Sequence, residues 1–141
     1  MKAKIDNKLL ALIRVKGSAG TRRSINETLA RLNLKRVNNL TLLYGTPSNI
    51  GMITKCNDFI TYGEVTQELL QKMVERKKLQ ATSDDIRLLL DGKKSAKELT
   101  NLPIRMHPPR KGYEGIKRGY SNKGALGYRG EKIAELIQRM M

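Results

Sequence analysis

Leu9-Leu10-Ala11-Leu12-Ile13-Arg14-Val15 is a continuous apolar run broken by a single arginine. Such a run reads as a central strand. Gly17-Ser18-Ala19-Gly20 ends it, and Ser24-Ile25-Asn26-Glu27 follows as a capping-box pattern, with Ser24 as cap and Glu27 reaching back. Ile25, Leu29 and Leu32 then recur at helical spacing. A second strand is predicted over Asn39–Tyr44, closed by Gly45. Thr46-Pro47 is a helix start, because Thr46 can cap and the missing N–H of Pro47 costs nothing at the first helical position. Ile50, Ile53 and Cys56 share one face of that helix, and Phe59–Tyr62 reads as a third strand. Strand, helix, strand, helix, strand within about sixty residues predicts an α+β sandwich, a three-stranded sheet with two helices packed on one face.

Beyond Gly63 the pattern changes. Leu69, Leu70, Met73 and Val74 predict a helix from about Thr66 to Lys78. Ser83-Asp84-Asp85 opens a shorter one with Ile86, Leu89 and Leu90, and Ser95-Ala96-Lys97-Glu98 is a second capping box. Residues 64–102 therefore read as a helical insertion. From 103 onward Ile104 and Met106 alternate with Arg105 and His107, which predicts a short strand. Residues 112–130 hold six of the chain's twelve glycines, with Tyr113, Tyr120 and Tyr128 among them. Glu131–Met140 is amphipathic through Ile133, Leu136, Ile137 and Met140 and must dock on something. The division expected is a core over 1–63, the insertion over 64–102, and a basic Gly/Tyr-rich extension over 103–141 whose last helix packs back on the core.

Charge separates the same segments. The chain of 141 residues carries 28 Lys and Arg against 13 Asp and Glu, a net of +15. Residues 1–62 hold 11 basic and 3 acidic side chains, residues 63–102 hold 8 and 7, and residues 103–141 hold 9 and 3. The two outer segments thus carry the excess, and a polyanion, nucleic acid above all, would relieve their self-repulsion. The longest apolar runs are far too short to span a bilayer. Lys2, Lys4 and Lys8 before Leu9–Ile13 mimic a short signal peptide, but no small-residue cleavage site follows, and the run is read as a strand.

No catalytic or metal constellation is present in the sequence. One histidine, His107, and one cysteine, Cys56, cannot supply a usual zinc site. No serine lies in a nucleophile elbow that could use His107. Cys56 reads as a small core hydrophobe. Asp84, Asp85 and Asp91 match no calcium loop and read as ordinary acids at helix starts. Gly17–Gly20 lacks the Gly-Lys-Ser/Thr ending of a phosphate loop, and it follows a strand, whereas the Gly-x-x-Gly of KH domains joins two helices.

Two places suit phosphate. Arg22 and Arg23 stand before a helix N-terminus, where a bound anion would suit both the arginines and the free N–H groups. Thr46, Pro47, Ser48 and Asn49 open the second helix in the same way. Gly51, inside that helix, suggests a close approach by RNA or by the packed sheet. In the tail, Arg105, His107, Arg110, Lys111, Lys117, Arg118, Lys123 and Arg129 offer contacts to phosphates, and tyrosines such as Tyr128 could stack on unpaired bases.

Leu9–Tyr62 resembles a whole bacterial-length member of the ribosomal protein family numbered thirty. Gly45-Thr46-Pro47-Ser48-Asn49-Ile50-Gly51-Met52-Ile53 is similar to its most characteristic motif. Tyr62-Gly63-Glu64, His107-Pro108-Pro109-Arg110-Lys111-Gly112-Tyr113 and Leu126-Gly127-Tyr128-Arg129-Gly130-Glu131 resemble the longer archaeal version, whose eukaryotic relative is the large-subunit protein numbered seven. The likeness covers about residues 8–141. It implies an antiparallel three-stranded sheet with two helices on one face, and binding of folded large-subunit ribosomal RNA near the 5S RNA, beside neighbouring ribosomal proteins in the cytoplasmic ribosome. It implies no catalysis, cofactor, membrane or small-molecule substrate. Members commonly carry arginine before the Gly-Met pair. Here Ile50 stands there, so that contact is absent or supplied by a neighbour such as Lys55. The rival readings are a free-standing RNA- or DNA-binding regulator and a small nucleic-acid-modifying enzyme. The near-neutral middle segment counts against the first and the missing acid/base cluster against the second.

Overall fold

Every side chain of Leu9–Arg14 is buried in the computed structural model, which describes residues 8–17, 19–77, 83–90, 104–113 and 115–140. This strand, β1, runs antiparallel between Asn39–Tyr44 (β2) and Ile60–Glu64 (β3), with Ala11 opposite Leu42 on one side and Gly63 on the other. The sheet does not stop at these three strands, as the sequence reading had it, nor is it wholly antiparallel. It has six strands in the order β4-β2-β1-β3-β6-β5. Ile104–Arg105 (β4) adds antiparallel to β2, Gly124–Tyr128 (β6) lies parallel to β3, and Gly115–Gly119 (β5) lies outside β6 in irregular register. The tail therefore supplies three strands. The glycines of β5 and β6 hide them from a pattern search, because strand alternation needs side chains.

Helices also cover both faces, not one. Leu10 and Leu12 point to Arg23–Arg31 (α1) and Pro47–Lys55 (α2), joining Leu29, Leu32, Ile50, Ile53 and Cys56 in one core. Leu9, Ala11 and Ile13 point the other way, into a second core with Leu69 and Met73 of Gln67–Lys77 (α3), Ile86 and Leu89 of Ser83–Leu90 (α4), and Ile133, Leu136 and Ile137 of Ile133–Met140 (α5). A strand apolar at both parities needs two covers. The second is made from the middle segment and the last helix. Where α5 meets β3, Gly63 leaves room for the preceding turn: any side chain there would run into the carbonyl of Gly130 and into Ile133. The second capping box, Ser95–Glu98, lies outside the described residues.

Helix starts follow their chemistry unevenly. Thr46 caps α2, its hydroxyl accepting from the Asn49 N–H at 3.3 Å, with Pro47 at the first position. The capping box at Ser24 does not form. Instead α1 begins two residues earlier, Arg22 being its extended N-cap without a side-chain cap bond, so Ser24 lies inside the first turn and Glu27 pairs with Arg23 at 3.2 Å.

Candidate nucleic-acid interface

Sheet topology decides which cations meet. β1 runs toward Arg14, β2 starts beside that end and finishes beside Leu9, and β3 starts beside Arg14. Helix α2, joining β2 to β3, must therefore run from the Leu9 end to the Arg14 end. Helix α3 leaves β3 at the Leu9 end. Helix α5 starts against Gly63 at that end and finishes at the other, where the Met140 carbonyl accepts from the His107 N–H at 3.0 Å, close to Asn38, whose own N–H donates to the Arg14 carbonyl at 2.9 Å. Three helices thus aim their C-termini at the Arg14 end. Lys55, Arg76 and Arg139 stand in their last turns, while Glu68 and Glu135 stand in the first turns of α3 and α5. These five sit where the helix dipole favours them, whereas Glu75, in the last turn of α3, sits against it.

The Arg14 end is accordingly the basic end. Lys16 leaves β1 there, with its ammonium 5.9 Å from the Phe59 ring centre, and Lys35 and Arg36 lead into β2. Arg22 and Arg23 belong to the same end, since the Ile25 carbonyl lies 4.0 Å from the Sγ of Cys56, the residue that caps the end of α2. Arg105 stands opposite Asn39, and Lys123 occupies the turn into β6 with left-handed backbone. Segment 106–113 crosses this end. Its backbone N–H groups at His107 and Arg110 cap the Met140 and Arg139 carbonyls, each at 3.0 Å, and the side chains of His107, Arg110 and Lys111 are exposed. Lys117 and Arg118 are exposed farther out, on the edge strand β5.

The Leu9 end differs. Thr46, Pro47 and Ser48 are exposed there, and the Gly45 N–H donates to the Lys8 carbonyl at 2.8 Å. The Asn49 side chain is committed to the fold, its Nδ2 donating to the Tyr44 carbonyl at 2.9 Å. Glu64, Glu68, Glu131 and Glu135 share this end with Lys8 and Lys132. The two helix N-termini picked out from the sequence are thus at opposite ends of the sheet, and only that of α1 lies among the cations. Ile50 is 5% exposed and faces the α1/α2 core, so no surface contact arises from that position.

Two predicted contact residues turn inward. Arg129 is 6% exposed; its guanidinium bonds Thr61 and the Ala125 carbonyl and lies 5.0 Å from the Tyr120 ring centre. The Tyr128 hydroxyl donates to Glu64 at 3.0 Å, and its ring lies 5.7 Å from that of Tyr62. Burial, then the Glu64 bond, raises the Tyr128 pKa above its ordinary value. Conversely, Lys16, Lys35 and Arg36 were not singled out from sequence. They flank strands, and only the pairing of β1 with β2 brings them together. Cys56 is a buried thiol, its pKa pushed up by burial, and among the described residues no cluster of three His, Cys, Asp or Glu could hold a metal ion. Among the described residues no helix is long and apolar enough to cross a membrane.

Comparison with known proteins bears on the family. Residues 10–60 match the family model described as ribosomal protein L30p/L7e. The chain is 37% identical to the large ribosomal subunit protein uL30 of Methanococcus maripaludis, over 93% of this chain and 98% of that one. It is 34% identical to the uL30 protein of Thermoplasma volcanium, over 94% of this chain and 93% of that one. The uL30 protein of Methanobrevibacter smithii is also 34% identical, over 94% of this chain and all of its own length. With relatives at 34–37% identity matched over 93–94% of this chain, and with the family model falling on β1, α1, β2, α2 and the start of β3, the chain belongs to the ribosomal protein L30p/L7e family.

Proposed function

We propose that this protein is a structural, non-catalytic component of the large ribosomal subunit in the cytoplasm, and that it binds folded ribosomal RNA through the Arg14 end of its sheet. The observation that carries this reading is the gathering of Lys16, Arg22, Arg23, Lys35, Arg36, Lys55, Arg105, Arg110, Lys111 and Lys123 at one end, where they outnumber Glu27, Asp58 and Glu75, with Glu64, Glu68, Glu131 and Glu135 at the other. That polarity steers a polyanion to one face. His107 borders the same surface, and Lys117 and Arg118 extend it along β5. The resemblance supports RNA ground near the 5S RNA, with neighbouring ribosomal proteins as further partners. The segment 64–102 is read as an insertion whose outer side meets solvent or protein.

The test is binding of the protein to transcripts of large-subunit ribosomal RNA against small-subunit transcripts, with cosedimentation on large subunits. Preference for the large-subunit RNA supports the reading. Equal, weak binding to every RNA, with no cosedimentation, refutes it.

A further inference from the structure

Arg14 continues the Leu10–Leu12 face of β1, yet it ends in a charge. It is 3% exposed. Its Nε donates to the Lys16 carbonyl at 2.8 Å, and its Nη1 donates to the carbonyls of Leu34 at 2.8 Å and Lys35 at 3.0 Å. Its Nη2 is buried without a hydrogen-bond partner. Among the described residues the ion pairs within 4.0 Å are Lys8–Glu64 and Arg23–Glu27, so no carboxylate answers this guanidinium. The carbonyls offset part of its charge. The residues bordering it, Lys16, Lys35 and Arg36, add charge of the same sign. Burial lowers the Arg14 pKa, but a guanidinium does not give up its proton in a protein. A buried ion without a counter-ion is costly, and the fold would be expected to drop it unless something outside the chain completes it.

We infer that Arg14 is a charge-completing centre of the basic end, whose counter-ion is a phosphate of the bound RNA seated over the rim formed by Lys16, Lys35 and Arg36. This rests on the RNA-binding reading above and names the place where that binding is anchored. No direct bond to Nη2 is required, because across a few ångströms of poorly polarisable protein the attraction between opposite charges is far less screened than in water. The carbonyl bonds have a second effect. They tie the residues after β1 to those before β2, so the three rim cations are held in place before RNA arrives.

Arg14→Met tests this, because it keeps length and removes charge. The RNA is the large-subunit transcript bound by the unaltered protein. The free variant should melt somewhat below the unaltered protein, since the relief of an unanswered buried charge is offset by the carbonyls of Lys16, Leu34 and Lys35 left without their donor. Its RNA affinity should fall about tenfold near physiological salt, and its log–log salt slope should be shallower by about 0.7–0.9, the share of one phosphate. The RNA-induced rise in melting temperature should shrink. An unchanged slope and an unchanged RNA-induced rise overturn the inference, whatever the free variant's melting temperature, and leave Arg14 as a brace between two loops. Failure of the unaltered protein to bind RNA would instead strike the parent reading. Should Arg14→Met not fold, the unaltered protein decides: the Arg14 Nε–H signal in a nitrogen-15 spectrum should move when the transcript is added, and a signal that stays put refutes the proposal.

Discussion

The Nε of Arg129 donates to the hydroxyl of Thr61 at 2.9 Å, and that hydroxyl donates to the carbonyl of Gly127 at 3.0 Å. Thr61 is fully buried in β3 and Arg129 follows β6, so this pair locks the tail to the first half of the chain. Removing one partner leaves a buried polar group or charge unanswered, at a cost of about 3 kcal/mol. Arg129→Ala should therefore lower the urea midpoint strongly, and Thr61→Val by a smaller amount. An Arg129→Ala protein with an unchanged midpoint and weakened RNA binding would return Arg129 to the surface role that its charge suggested.

Gly51 has open space where a Cβ would sit, and it is exposed on α2. Packing against the sheet is thus not the reason for a glycine there. Gly51→Ala should stabilise the free protein by about 0.5–1 kcal/mol, since glycine is the poorer helix former. Gly51→Val should leave the melting temperature almost unchanged. If RNA approaches the α2 backbone, that larger side chain should weaken RNA binding about tenfold. A Gly51→Val protein with normal RNA affinity would exclude close approach at this position.

The Tyr113 hydroxyl donates to the Asn38 side chain at 2.6 Å, and burial pushes its pKa up to about 12, with Arg129 drawing it slightly back. In the unfolded chain a tyrosine titrates near 10. The folded state thus favours the neutral form, and its contribution is whole below about pH 10 and lost as the pH rises toward 12. Tyr113→Phe should be less stable near pH 8 by about 1 kcal/mol for the lost bond. The two proteins should then converge between pH 10 and 12. A constant gap across that range would show that the hydroxyl is not what titrates.

The strands β1 and β2 and helices α2, α3 and α4 were readable in the sequence because their apolar positions carry the period of their element. Cys56 was likewise legible as core. The six-stranded sheet was not, because β5 and β6 are written in glycine and in cations, and a glycine strand shows no period. The second helical layer was implied by the unbroken run at Leu9–Ile13, but a run does not say which later helix covers it. Arg22, not Ser24, precedes α1, since a capping pattern competes with the apolar face that fixes where the helix lies. At the candidate interface, residue type alone could not separate the inward Arg129 and Tyr128 from the exposed Arg110 and Lys111. Nor could it join Lys16 to Lys35, which are neighbours only through strand pairing.

Met73 is fully buried in the second core, together with Leu69 and Leu136. Truncating such a side chain costs about 2–5 kcal/mol in transfer and cavity terms. Met73→Ala should lower the denaturation midpoint accordingly. Below its melting temperature it should still bind RNA with the slope of the unaltered protein, because α3's outer cations are not needed for the basic end. A shallower slope in a folded Met73→Ala protein would mean that the middle segment carries phosphate contacts.

The sharpest test of the molecule's polarity compares charge changes at its two ends. If about six phosphates are neutralised at the Arg14 end, the log–log dependence of affinity on salt should have a slope near −4 to −5. Reversing Lys35 and Arg36 together, as Lys35→Glu and Arg36→Glu, removes two contacts and adds repulsion, so the slope should become shallower by about 1.5–2 and affinity should fall by more than about a hundredfold at 0.1 M salt. Both side chains are exposed, so the melting temperature of the free protein should hardly change. Adding positive charge at the far end, as Glu68→Lys, changes the net charge by the same two units as one such reversal. Net attraction alone would then strengthen binding. A polarised contact predicts instead a small gain that vanishes above about 0.15 M salt, where charges more than about 8 Å from the phosphates are screened. Equal and opposite effects at the two ends would show that RNA responds to total charge, and that the Arg14 end is not the binding face.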